Sequence, residues 1–128
     1  MINIKKSIQI LIATIFFFSC ASLSNHKSGN YFKMKRVGLM DSIAINISGR
    51  VYELYENFGL PGAEIELLNK NNNYHSFSNE KGKFKFKNLL PGKYKIRSTY
   101  LGYFTFSDSI VLKSGEIIKL KIGLGTYE

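Results

Sequence analysis

The sequence predicts an all-β protein: a seven-stranded antiparallel β-sandwich over residues 45–128, preceded by a cleavable leader and a flexible tether. Three observations predict it. From Ile45 onward apolar and polar residues alternate with a period of two, the mark of strands with one buried face. Turn-forming residues interrupt that alternation at regular intervals. The first twenty residues carry the charged, apolar and small-residue zones of an exported chain.

The leader comes first. Lys5 and Lys6 form a positive zone, Ile8 to Phe18 is apolar but for Gln9 and Thr14, and Ser19-Cys20 closes the segment. Eleven residues are too few to cross a bilayer core as a helix, which takes about 20; residues 1–19 therefore read as a signal peptide. Cys20 is the chain's only cysteine, so no intramolecular disulfide forms. Phe17-Phe18-Ser19-Cys20 resembles a bacterial lipobox, with Phe17 where Leu is usual, which makes Cys20 the expected lipidation site. An ordinary signal peptide with an incidental cysteine is the alternative. Acyl chains contribute about 0.8 kcal/mol per buried CH₂, and stable anchoring takes more than one chain.

Residues 20–44 form the next segment. Ala21 to Asn30 is small, polar and aperiodic, a tether in which His26 is a solvated residue. Surface-exported lipoproteins of some Gram-negative lineages carry an acidic run after the cysteine. None follows Cys20, which favours a periplasm-facing anchor in the outer membrane. Tyr31 to Val37 reads either as an extra strand on the domain edge or as a basic, aromatic stretch lying on headgroups.

The domain then runs through strands at about 45–53, 63–69, 73–78, 83–88, 93–101, 104–113 and 116–124. Ile45, Ile47 and Val51 alternate with polar partners, as do Phe84 and Phe86, Tyr94 and Ile96, and Ile118, Leu120 and Ile122. Pro61-Gly62 and Pro91-Gly92 preset type II turns, Pro fixing the first φ and Gly accepting a positive second one. Asn71-Asn72-Asn73, Glu80-Lys81-Gly82 and Ser114-Gly115 supply further turns, and Gly102 marks a bulge or sharp corner. Without a disulfide, a domain of this size depends on its apolar core.

Gly49-Arg50-Val51, Leu60-Pro61-Gly62-Ala63-Glu64-Ile65, Asn79-Glu80-Lys81-Gly82-Lys83-Phe84, Leu89-Leu90-Pro91-Gly92-Lys93-Tyr94 and Leu101-Gly102-Tyr103 occur in that order. The series resembles the carboxypeptidase regulatory-like domain, a transthyretin-type (prealbumin-like) β-sandwich, over about residues 45–124. Asn79-Glu80 stands where that family commonly has Thr-Asp. The resemblance implies architecture more than activity: such domains accompany metallocarboxypeptidases without adding catalytic residues, extend TonB-dependent outer-membrane receptors, and occur in stand-alone lipoproteins.

Catalytic chemistry is not expected. His26 and His75 stand apart with no paired ligand at metal spacing, so neither a metal nor a cofactor is predicted, and His75 reads as an exposed strand residue. No nucleophile elbow, phosphate loop or carboxylate pair stands out in the sequence. The net charge is +9; setting aside Lys5 and Lys6 leaves sixteen basic against nine acidic side chains, about +7.

Two candidate binding surfaces follow. Lys83, Lys85 and Lys87 project one way from one strand, and Lys93, Lys95 and Arg97 do so from the next. Paired as a hairpin, those strands would set six cations on a single face. Such a face is either a landing site for an acidic glycan, headgroup or protein, or a solvated surface whose lysines discourage edge pairing. Tyr52, Tyr55 and Phe58 cluster at the first loop, either as a sugar-stacking platform or as a cap on the sandwich end. The expected function is that of a non-enzymatic envelope lipoprotein whose sandwich docks an envelope protein such as a TonB-dependent receptor. A glycan- or peptide-binding module is the alternative, and the exported compartment disfavours nucleic acid.

Overall fold

The computed structural model describes residues 29–127. The leader, Cys20, His26 and the rest of the tether up to residue 28 lie outside the described residues. The described residues form eight strands: β1 (Asn30–Leu39), β2 (Ile45–Glu53), β3 (Glu64–Leu68), β4 (Asn73–Phe77), β5 (Lys83–Leu89), β6 (Gly92–Thr99), β7 (Phe106–Leu112) and β8 (Glu116–Leu124). They build two four-stranded sheets. Sheet A runs β1-β8-β2-β5 and sheet B runs β4-β3-β6-β7.

Alternation places the core between the sheets. Ile47, Val51, Phe84, Phe86, Ile118 and Ile122 project inward from sheet A, and Ile65, Leu67, Tyr94, Ile96, Ile110 and Leu112 from sheet B, all buried. Each such side chain contributes about 1.5–3 kcal/mol on leaving water. The Tyr94 hydroxyl donates to the Leu90 carbonyl at 2.7 Å, so its polar tip has a partner. The described strand pairings and core residues all lie after Ala21, so a chain beginning at Ala21 carries the whole described fold. Among the described residues no helix is long and apolar enough to cross a membrane.

The all-β sandwich matches the sequence expectation, with strand ends within a few residues, and three features differ from it. First, there are eight strands, because the segment left open between strand and headgroup contact is a strand. β1 pairs antiparallel with β8 from Asn30↔Leu124 to Leu39↔Glu116, with a bulge between Arg36 and Gly38. Its alternation explains the pairing: Phe32 and Met34 pack on the core, and Phe32 stacks on Phe106 with ring centroids 4.8 Å apart.

Second, the sandwich is not wholly antiparallel, since β2 and β8 pair parallel from Asn46↔Ile117 to Glu53↔Leu124. Between them the chain builds all of sheet B, so no tight turn dictates their relative direction. Third, β5 and β6 do not form a hairpin but belong to opposite sheets. The Leu90-Pro91 connection carries the chain across the sandwich, allowing Phe84 and Phe86 to meet Tyr94 and Ile96 from opposite sides of one core.

Candidate functional site

The outer face of sheet A is the most distinctive surface of the molecule. In strand register, Lys33 lies opposite Lys121, Lys121 beside Arg50, and Arg50 opposite Lys83, giving one cation per strand across all four strands. One step along the strands, Lys35 lies opposite Lys119, which sits beside Ser48, and Ser48 lies opposite Lys85. Seven cations thus form two rows, interrupted only by the Ser48 hydroxyl. The six lysines are exposed and Arg50 half-buried. Among the described residues, no acidic side chain occupies an outward position of these four strands. The long side chains stand around a trough of about 450 Å³ that Ser48, Gly49, Phe84 and Leu120 also line.

Arg50 is held in place. Its Nη2 donates to the Asn57 carbonyl at 2.8 Å, and Nη1 and Nε reach Asn57 Oδ1 and the Lys81 carbonyl at 3.3 Å each. Its guanidinium lies 5.5 Å from the Tyr52 ring centroid, and Lys121 Nζ lies 5.8 Å from the same ring. Tyr52 lies over Gly123, where a Cβ would meet its Cζ at 2.9 Å. Burial raises the Tyr52 phenol above its ordinary value; neighbouring Tyr31 adds to the shift and Arg50 opposes it.

Both surfaces expected from sequence are rearranged. Lys83, Lys85 and Lys87 lie on sheet A, whereas Lys93, Lys95 and Arg97 lie on sheet B, so the six do not share a face. Instead Lys33, Lys35, Arg50, Lys119 and Lys121 join the first set. Their alternation was visible in the sequence, but their neighbourhood depends on the parallel β2–β8 pairing and on β1. The aromatic trio is also split: Tyr52 is only 7 % exposed and covered by cations, while Tyr55 and Phe58 project from the loop at 73 % and 49 %. Those three do not form one stacking platform.

Sheet B is mixed in charge. Its His75 Nδ1 lies 2.8 Å from Glu64 Oε2 and 3.7 Å from Glu66 Oε2, and Arg97 Nη1 lies 3.7 Å from Glu66 Oε1. Glu64, Glu66 and His75 bring three donor atoms within 4.8 Å of one another, a set sequence spacing did not reveal because it spans two strands. Arg97 already supplies positive charge to Glu66. Ion pairing within the sheet accounts for this cluster without further chemistry.

A second exposed surface lies at one end of the sandwich. Leu101 is 96 % exposed and, with Phe77, Tyr103 and Tyr127, borders an open groove near Gly62 and Glu64. Tyr100 and Tyr103 meet edge-on with ring centroids 5.4 Å apart, and Phe104 and Tyr127 pack at a tilt with centroids 4.5 Å apart. Burial raises the Tyr103 phenol, followed by the charges of Glu53, Tyr100 and Glu56. The two buried carboxylates close loops: Glu53 accepts from the Glu56 amide, and Glu116 accepts from the Lys113 amide at 2.8 Å and from Arg36 Nε.

The CarboxypepD_reg-like domain family matches residues 47–127 of the chain. Solved structures with a similar fold include a candidate carbohydrate-binding protein from Bacteroides uniformis, 14 % identical with a TM-score of 0.55, covering 66 % of this chain and 42 % of that one. A DUF3823 family protein from Parabacteroides merdae is 20 % identical with a TM-score of 0.51, covering 68 % and 48 %. The Bacillus anthracis TIE protein is 22 % identical with a TM-score of 0.56, covering 66 % and 17 %. At these identities the likeness is one of fold, and the chain spans less than half the length of each of these proteins. No curated protein matches the sequence.

Proposed function

Because the chain belongs to the CarboxypepD_reg-like domain family, we propose that it is a non-enzymatic accessory module of the cell envelope that recognises an acidic partner through the outer face of sheet A. One observation carries this reading: two cross-strand rows of cations with no outward acidic residue among them. Like charges directly opposite one another on a sheet are destabilising. Sheet B, which interleaves Glu64 and Glu66 with His75 and Arg97, avoids the same arrangement. The core between the sheets is apolar, and the buried carboxylates close loops, which suits recognition rather than reaction. In this reading Cys20 is acylated and holds the domain to the outer membrane, facing the periplasm, with an acidic envelope protein such as a TonB-dependent receptor among the partners open to it.

Retention of the Ala21–Glu128 chain on immobilised polyglutamate tests the face. Lys33→Ala/Lys121→Ala is expected to elute at clearly lower salt than Lys93→Ala/Lys95→Ala, although both lose two charges. Equal shifts would mean that net charge alone drives retention.

A second reading has its own support. The exposed aromatic end, with Phe77, Leu101 and Tyr127, is the kind of patch that marks glycan or peptide binding, and the B. uniformis neighbour is described as a candidate carbohydrate-binding protein. Saturable glycan-array binding that disappears in Leu101→Ala/Tyr127→Ala would favour it.

A further inference from the structure

We infer that the acidic partner of sheet A is the phosphate-bearing headgroup layer of the membrane to which the chain is anchored. This rests on the proposed acidic-partner reading and on acylation of Cys20. Three observations point to phosphate headgroups. The cations form a broad array of four strands by two rows, and with strands about 4.8 Å apart it spans far more than a single acidic side chain can meet, which suits a surface carrying many charges.

Next, the only guanidinium in the rows already donates to Asn57 and to the Lys81 carbonyl, leaving the six lysines, of which Lys121 also lies over the Tyr52 ring, as the cations that can meet a ligand. Lysine binds phosphate as a point charge, whereas planar carboxylates gain most from an unoccupied arginine fork. Lys35, Lys119 and Lys85 stand in one row with the Ser48 hydroxyl at the rim of the trough, where one headgroup phosphate can meet all four.

Finally, the array lies on the sheet whose edge strand receives the tether. Nine residues separate Cys20 from Asn30, where β1 begins, a reach of at most about 30–36 Å between the anchoring residue and the strand. An acyl anchor plus a polybasic patch is a two-signal arrangement, each cation near an anionic surface adding about 1 kcal/mol. Sheet B would then face away from the bilayer.

Co-sedimentation of the Ala21–Glu128 chain with vesicles tests this. The chain is expected to bind phosphatidylcholine vesicles doped with phosphatidylglycerol and not phosphatidylcholine alone. Inorganic tripolyphosphate and added salt should displace it. Lys35→Ala/Lys119→Ala should lower partitioning roughly thirtyfold, at about 1 kcal/mol per lysine, while Lys93→Ala/Lys95→Ala should leave it near wild type; a thermal melt of each variant confirms folding. Equal losses in the two double variants, or binding to tripolyphosphate without binding to vesicles, would overturn the headgroup assignment. Polyglutamate binding through sheet A with no vesicle binding retires this inference and leaves the acidic-partner reading standing. Failure of both probes retires the two together.

Discussion

At the scale of single residues, glycines show what sequence can and cannot price. Gly102 reads from sequence as a bulge or corner, and it does adopt φ +89, in the turn between β6 and β7. A Cβ there meets nothing within 4 Å, so the cost of Gly102→Val comes chiefly from holding a β-branched residue at positive φ, about 1–2 kcal/mol. Gly82 reads as one more turn residue, yet a Cβ on it would lie 2.2 Å from the Val51 carbonyl oxygen. That carbonyl accepts from the Leu60 amide, while the Gly82 carbonyl accepts from the Val51 amide at 2.8 Å. Gly82→Ala is therefore expected to cost more than Gly102→Val, about 3 kcal/mol or above, in chemical denaturation. The turn propensity was legible at both positions. The difference between them arises from a loop that folds back on β2, which local sequence does not encode. His75 teaches the same lesson, since its carboxylate partners lie 9 and 11 positions away and meet it only across the β3–β4 pairing.

At the scale of elements, two-residue alternation together with the turn residues that interrupt it was sufficient to find seven of the eight strands. β1 was ambiguous for a physical reason: its basic and aromatic residues fit a headgroup surface as well as a sheet edge. Its inward side chains decide the matter, with Phe32 stacked on Phe106 and Met34 packed on the core. Phe32→Ala should cost about 2–3 kcal/mol, somewhat below a fully buried Phe, and should raise amide exchange along β1 and the facing β8 positions before the rest of the sheet. Unchanged protection in β1 would mean that backbone pairing alone holds the strand. What no local pattern supplied was the parallel β2–β8 pairing and the assignment of β5 and β6 to different sheets. Both are choices of topology, made by the shared core rather than by the turn between neighbours.

At the scale of the whole molecule, those choices decide where charge accumulates. The same lysines read along the chain suggest a hairpin face; read across sheet A they become rows with four like-charge neighbours in direct register: Lys33–Lys121, Lys121–Arg50, Arg50–Lys83 and Lys35–Lys119. Each opposed pair disfavours the folded sheet by roughly 0.2–1 kcal/mol, less at high salt. A domain with an apolar core and a surface that repels itself is well suited to an acidic counterpart that relieves the repulsion. The fold class was legible from sequence, the individual cations were legible, and their convergence was not. The most direct measurement is an NMR titration of the Ala21–Glu128 chain with a soluble acidic polymer, following each backbone amide. Shifts are expected to concentrate at Lys33, Lys35, Ser48, Lys83, Lys119 and Lys121, with Lys93 to Arg97 unmoved. Shifts centred on sheet B, or on Phe77, Leu101 and Tyr127, would contradict it.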